Sequence, residues 1–273
     1  MSAAPRARLP LRVLVKGAST VNWISPMSGP RTDFIFPRVV EEQLLRAGHA
    51  VQVQVRSLAS EPASSLLGRW EEEVLGYSPD VIVLVYGHYE TIHLFLPRWF
   101  ERHANSLRSR RGPLARLYRD RLLRPLWMAL ARLQARADRL LDPTLRRGRP
   151  RRVARDLELY VRHVRTVGRP LVYVFELLPP AARRESWFPG MARRVEVMNR
   201  TIAAMVETLD DEVRYFRVSP LVQEIADGDL DVATPDGFHY SPALHRKVGE
   251  ALAEDVARWA DDHPHLTTRT TAP

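Results

Sequence analysis

Six consecutive apolar residues, Val81 to Tyr86 (VIVLVY), constrain the fold of this chain more than any other stretch. A strand with one wet face alternates apolar and polar side chains. A short run that is apolar throughout and bounded by turn formers therefore reads as a strand covered on both faces, as in the middle of a parallel sheet. Pro79-Asp80 precedes this run and Gly87 follows it. Leu171 to Phe175 repeats the pattern, and Leu11 to Ser19 approaches it, interrupted at Arg12 and Lys16. Leu11 to Ser19 (LRVLVKGAS) ends on a glycine, a small residue and a serine, and Leu171 to Phe175 (LVYVF) ends before the loop Glu176 to Gly190. Ala50 to Val55 (AVQVQV) alternates, as expected of a strand nearer the sheet edge, and Val213 to Val218 adds a fifth.

Helical patterns separate these runs. Pro37 opens one through Ala47, with Val39, Val40, Leu44 and Leu45 on its buried face and Gly48 as its stop. Ser64 to Leu75, Val153 to Val167 and Met191 to Leu209 read as three more. Ser241-Pro242 supplies an N-cap and a first-turn proline for a last helix, in which Leu244, Val248, Leu252, Val256 and Trp259 recur every third or fourth residue. Alternating strands and helices over 273 residues with 45% hydrophobic content predict one α/β domain over residues 11–262, with disordered tails at 1–10 and 263–273.

The absence of cysteine excludes disulfides and thiolate metal sites. The basic start MSAAPRARLP, followed by a run interrupted at Arg12 and Lys16, lacks the apolar core of a signal peptide, and no stretch is apolar for the length of a membrane span. A soluble, cytoplasmic protein is the expectation.

Residues 97–155 differ in character, with dense arginine among Leu, Trp and Ala and a breaker at Asp142-Pro143. They read as a helical insertion or lid, closed by a loop over Arg146 to Arg152. The net charge of +9 is almost wholly arginine, since Lys16 and Lys247 are the only lysines. GC-rich coding and a solvated helical pair account for this bias. A functional reading makes the insertion a docking face for an anionic substrate, an acidic carrier domain, the phosphates of a nucleotide thioester, or peripheral contact with an anionic membrane. No recognition-helix, RNP or zinc-finger signature accompanies the charge, so nucleic acid is not an expected partner. Oligomeric state is left open.

The candidate chemistry joins the two ends of the chain. Ser19 sits at the carboxyl end of the first strand, the edge where open α/β sheets place ligands. Asp236 precedes His239 by three residues, so one loop can present a carboxylate that orients an imidazole and an imidazole that takes the serine proton. Read singly, Ser19 is equally a turn or cap residue, His239 a helix-start residue and Asp236 a turn former after Pro235. A second cluster, Gly87-His88-Tyr89-Glu90, ends the VIVLVY strand. Its Glu90-x-x-His93 spacing shares one helical face, but the further ligands that a carboxylate metal site needs are missing from the sequence, which predicts no metal and no cofactor.

Taken together, Gly17-Ala18-Ser19, the Gly87 turn, Leu178-Pro179-Pro180, Met198-Asn199 and Asp236-x-x-His239 resemble, in order and spacing, the blocks of the SGNH, or GDSL-like, hydrolases. The resemblance spans most of residues 11–104 and 155–259. It implies a flavodoxin-like three-layer α/β/α sandwich and hydrolysis or transfer of acyl groups from esters and thioesters. It also implies Ser19 as nucleophile, His239 as base and Asp236 as its orienting carboxylate. Three departures from the pattern stand out, the last two of them at the oxyanion hole. Gly-Asp-Ser reads Gly17-Ala18-Ser19, the second-block glycine falls on Pro62, which has no N–H, and Gly-x-Asn reads Gly87-His88-Tyr89. A lost oxyanion donor costs about 2.7–4 kcal/mol of transition-state stabilisation. Gly87, His88, Tyr89 and Glu90 are accordingly the candidate oxyanion and substrate-binding residues, with the Tyr89 hydroxyl a substitute donor.

The sequence therefore predicts a serine hydrolase or acyltransferase acting on a small or medium acyl ester or thioester. The competing readings are a non-catalytic binding protein on the same scaffold, and altered chemistry run by the His88/Tyr89/Glu90 loop.

Overall fold

The computed structural model describes residues 9–25, 31, 34–59, 61–92, 103, 112–140, 148–184 and 190–263. The tails and much of the stretch between 93 and 111 lie outside the described residues, as does His93. Five strands, β1 (Leu11–Gly17), β2 (Val51–Ser57), β3 (Val81–Val85), β4 (Leu171–Phe175) and β5 (Val213–Phe216), form one sheet in the order β2-β1-β3-β4-β5. Every neighbouring pair is parallel. All five residues of β3 and all five of β4 are buried, whereas β2, on the edge, is only partly covered. The chain leaves β1 for one edge and returns past it to β3. The carboxyl ends of β1 and β3 are therefore the switch point of a doubly wound sheet, where such sheets place their ligands.

Side-chain alternation divides the core in two. Val13 and Val15 of β1 pack with α1 (Phe36–Arg46) and α10 (Pro242–Asp262), while Leu14 packs with α6 (Gly148–Val167) and α7 (Met191–Val206) on the other face. Lys16 is 2% exposed and pairs with Glu73 of α2 (Trp70–Leu75), its ammonium 5.0 Å from the centre of the Tyr160 ring. A cation survives in a central strand because a carboxylate and an aromatic face replace its water. Burial nonetheless pulls its pKa below the ordinary lysine value, against the raising effect of Glu73.

Several elements depart from the sequence expectation. The helix expected over Ser64 to Leu75 is a 3-10 turn, Ala63–Gly68, followed by α2. The loop expected at Arg146 to Arg152 is in part helix, because α6 starts at Gly148 and holds Pro150 in its first turn, where a missing N–H breaks no helical bond. The stretch before Asp236 contains α8 (Ser219–Ala226) and α9 (Leu230–Ala233), which the sequence pattern did not announce. Glu176, at the end of β4, caps α8 by accepting the Val218 and Ser219 N–H groups at 2.8 and 2.7 Å.

Within the expected insertion, α4 (Pro113–Tyr118), a π turn (Arg119–Leu123) and α5 (Arg124–Leu140) form one continuous helix. Pro125 lacks an N–H and crowds the carbonyl one turn back, and the wider turn just ahead of it, closed from Arg124 N–H to Arg119 O, accommodates that defect. No helix among the described residues is long and apolar enough to cross a membrane.

Candidate functional site

The first strand delivers Ser19 through close contact with both neighbours. The Ala18 N–H donates to Val85 O on β3 at 3.3 Å, and on the β2 side the Ser57 hydroxyl donates to Ala18 O at 2.9 Å. A side chain at Gly17 would meet Val85 O at 2.7 Å and Val21 Cγ2 at 2.6 Å, so only glycine lets β1 end this close to β3 and turn at once. The turn is a 3-10 helix, Ser19–Val21, whose first residue has no intrahelical partner for its N–H.

The opposite half of the site comes from the loop between α9 and α10. Gly237 adopts φ +96°, a conformation side chains disfavour, and its N–H closes a turn onto Thr234 O at 2.7 Å. This turn folds Asp236 back onto Phe238 and His239. Asp236 Oδ1 accepts the N–H groups of these two residues at 3.0 and 2.9 Å, leaving Oδ2 for His239 Nδ1 at 2.7 Å. His239 Nε2 lies 2.9 Å from Ser19 Oγ. With Asp236 ionised, Nδ1–H donates to it and the free Nε2 accepts the Ser19 O–H hydrogen bond, the tautomer this bond network assigns. The Ser241 hydroxyl caps α10 by accepting Leu244 N–H, holding the loop to a rigid helix.

Burial would push the Asp236 carboxyl up, but the hydrogen bond and charge of His239, with the two loop N–H donors, outweigh it and hold the group below the usual carboxylate range. Three further residues, none singled out by motif, support the pair. The Ser25 hydroxyl accepts Asp236 N–H at 2.8 Å. The Trp23 ring stacks on His239 with centroids 5.3 Å apart and planes 26° apart. His245 Nε2–H donates to Trp23 O at 3.1 Å while its Nδ1 accepts the Phe36 N–H at 3.1 Å, tying Trp23 to the start of α1. Burial lowers the His245 pKa to about 4. A signal for its burial did exist, because His245 stands three residues before Val248 and seven before Leu252, on the apolar stripe of the last helix.

Gly87 and α3 (His88–Ile92) follow β3 directly. His88 is buried beside the site, its Nε2 3.1 Å from Leu178 O and its Nδ1 3.4 Å from Thr20 Oγ1, and burial lowers its pKa to about 4. Its ring is thus held neutral by the scaffold. Glu90 Oε1 accepts the Ala63 N–H at 2.6 Å, so the first amide after Pro62 is bound to a carboxylate. Asn199 on α7 grips Leu177, accepting its N–H at 2.9 Å and donating to its carbonyl at 2.8 Å. This fixes the Leu178-Pro179-Pro180 loop that carries the acceptor for His88.

A cleft of about 320 Å³ lies on the β2 side of the Ser19 turn. Ile35, Pro37, Val53 and Val55 give it an apolar wall, while Asn22, Ser57, Arg31, Arg38 and Glu41 supply polar edges. Asn22 N–H donates to Ser19 O and Ser57 to Ala18 O, which joins this cleft to the backbone on both sides of the serine. A pocket of about 160 Å³ between Val74 and Pro170 lies at the amino ends of β3 and β4, away from this chemistry.

No protein-family model matches the sequence, and no curated protein matches it. Solved structures with a similar fold include the lipase/acylhydrolase from Enterococcus faecalis, at TM-score 0.58 and 12% identity over 91% of this chain and 96% of that one. A lipolytic protein of the G-D-S-L family from Desulfitobacterium hafniense DCB-2 matches at TM-score 0.54 and 12% identity, over 89% and 98% of the two chains. Est24, a carbohydrate acetylesterase from Sinorhizobium meliloti, matches at TM-score 0.53 and 16% identity, over 91% and 99%. At these identities the likeness is one of fold.

Proposed function

We propose that this chain, whose fold is that of the SGNH, or GDSL-like, hydrolases, is a serine esterase that works through an acyl-enzyme. The observation that carries this reading is the unbroken relay from Ser19 Oγ to His239 Nε2 at 2.9 Å and from His239 Nδ1 to Asp236 Oδ2 at 2.7 Å. Ser19 attacks the substrate carbonyl as His239 takes its proton. Asp236 keeps the imidazole in the accepting tautomer and stabilises the imidazolium. The developing oxyanion rests on the Ser19 N–H and a donor from the Gly87 to Tyr89 loop. His239 then protonates the leaving alcohol, and water resolves the acyl-enzyme by the same steps in reverse. The cleft reached past Asn22 and Ser57, walled by Ile35, Pro37, Val53 and Val55, is the place this reading gives to a small or medium acyl group. A thioester substrate and an alcohol or amine acceptor use the same machinery.

Intact-mass analysis after treatment with a small fluorophosphonate tests the reading. A single adduct on wild type is expected. It should be absent from Ser19→Ala, and slowed by roughly 10⁴-fold or more in His239→Ala and Asp236→Asn. No adduct on folded wild type overturns it. One observation favours a second reading, a binding protein without turnover: Pro62 has no N–H and the Ala63 N–H is taken by Glu90. That reading predicts an adduct-free serine. The loop chemistry of His88, Tyr89 and Glu90 would survive Ser19→Ala, but the buried neutral ring of His88 and the engaged carboxylate of Glu90 count against it.

A further inference from the structure

The arm made of α4, the π turn and α5 departs from how a helix on a water-soluble protein ordinarily presents itself. Seven of the thirteen large apolar residues exposed among the described residues lie within these 28 positions. Leu122, Leu126, Leu133 and Leu140 are 56%, 45%, 62% and 85% exposed. Their spacings of four, seven and seven residues are close to whole turns, so they form one stripe along α5 and its π turn, with exposed Ala129 between them. Leu123, Trp127 and Leu130 form a separate cluster on an adjoining face. Among the described residues the arm makes no substantial contact with any strand or other helix.

Charge identifies what the stripe fits. Residues 113–140 carry seven arginines against two aspartates, a local charge of +5. At about 100° per residue, exposed Arg121, Arg132 and Arg136 fall along one edge of the leucine stripe. A second copy would bring two such arrays together, which repulsion opposes, and a nucleic-acid backbone has no use for a leucine stripe. A surface that is apolar just beneath a layer of negative charge satisfies both rows at once. The leucines enter the boundary of the acyl chains, and the arginine stems reach back so that their guanidinium groups meet lipid phosphates.

We propose that this arm is a monotopic docking element for anionic lipid membranes, seated by the Leu122–Leu140 stripe and held by the flanking arginines. The inference is independent of the ester-hydrolase reading, and Ser19→Ala should dock like wild type. The test is flotation of the full chain with vesicles of phosphatidylcholine alone or with about 30% phosphatidylglycerol. Wild type is expected to float at least roughly tenfold more with the anionic vesicles, and high salt should weaken that preference.

Replacing Leu122, Leu126 and Leu133 together by Glu should abolish flotation. The triple variant Arg121→Gln, Arg132→Gln, Arg136→Gln should lose about fivefold per arginine. Circular dichroism should leave both variants folded, because the substituted side chains are exposed. Absence of flotation, equal recovery with neutral vesicles, or leucine variants that float like wild type would overturn the proposal. So would a dimer in light scattering that the leucine substitutions dissociate, since the stripe would then be covered by a second copy.

Discussion

At the residue scale, the site depends on histidines held in different states by their surroundings. His239 sits between an ionised carboxylate and a hydroxyl, hydrogen-bonded to both. His88 and His245 are buried, each with both ring nitrogens within reach of a fixed partner, and each has its pKa lowered to about 4. Their folded pKa values lie below the ordinary value of about 6.5, so the unfolded chain binds protons first as pH falls. Each therefore contributes stability that is full above about pH 6.5 and is lost progressively down to about pH 4, at up to about 1.4 kcal/mol per pH unit. Urea unfolding across that window should show this decline, and His245→Gln should remove about half of it. A stability profile flat between those limits in wild type would contradict the buried neutral rings. The histidines also show where sequence reading stops. His239 was legible because an aspartate stands three residues before it, whereas the role of Trp23 depends on a ring stack across 216 residues of chain.

At the element scale, the geometry of the site follows from how closely backbones approach. Gly17 lets β1 end against β3, and Gly249 lets α10 press on α1, where an added Cβ would meet Val39 Cβ at 2.5 Å and the Phe36 carbonyl at 2.9 Å. Substituting either by alanine should cost about 1–3 kcal/mol, measured by chemical denaturation. Gly17→Ala displaces Ser19 directly, so it should slow fluorophosphonate labelling of the folded protein more than Gly249→Ala, which reaches the site only through the packing of α10 on α1. Equal labelling rates in the two variants would separate the serine from the strand end. The strands were readable because continuous apolar runs such as VIVLVY have few alternatives. The short α8 and α9 were not, because eight and four residues hold too few turns for a periodicity to emerge, and α8 is capped by Glu176 from a distant strand.

At the scale of the whole molecule, two apolar layers enclose the sheet, and among the described residues the basic arm belongs to neither. Thermal unfolding should therefore report the layers alone. The leucine variants of the arm are expected to keep the wild-type Tm within a degree or two, since exposed substitutions rarely exceed about 0.5 kcal/mol. A drop of many degrees would mean that the arm packs on the core. The +9 charge of the chain was visible in composition, but composition alone does not separate coding bias from docking. The distinction rests on leucines and arginines sharing adjacent edges of one exposed helix.

What the sequence alone determined is what local physics dictates. Fully apolar runs specify a parallel sheet, helical periodicity specifies the layers that cover it, and strand–helix alternation with a turn after β1 puts Ser19 at the carboxyl edge. A carboxylate three residues before a histidine lets one loop pair the two side chains wherever that loop lands. Tertiary structure decided the rest: that the His239 imidazole lands 2.9 Å from a serine 220 residues earlier, that Glu90 takes the Ala63 N–H, and that His245 and Trp23 brace the ring. These contacts are set by the register of the sheet and the packing of α10 on α1. Such distances depend on every intervening element at once, and no local pattern encodes them.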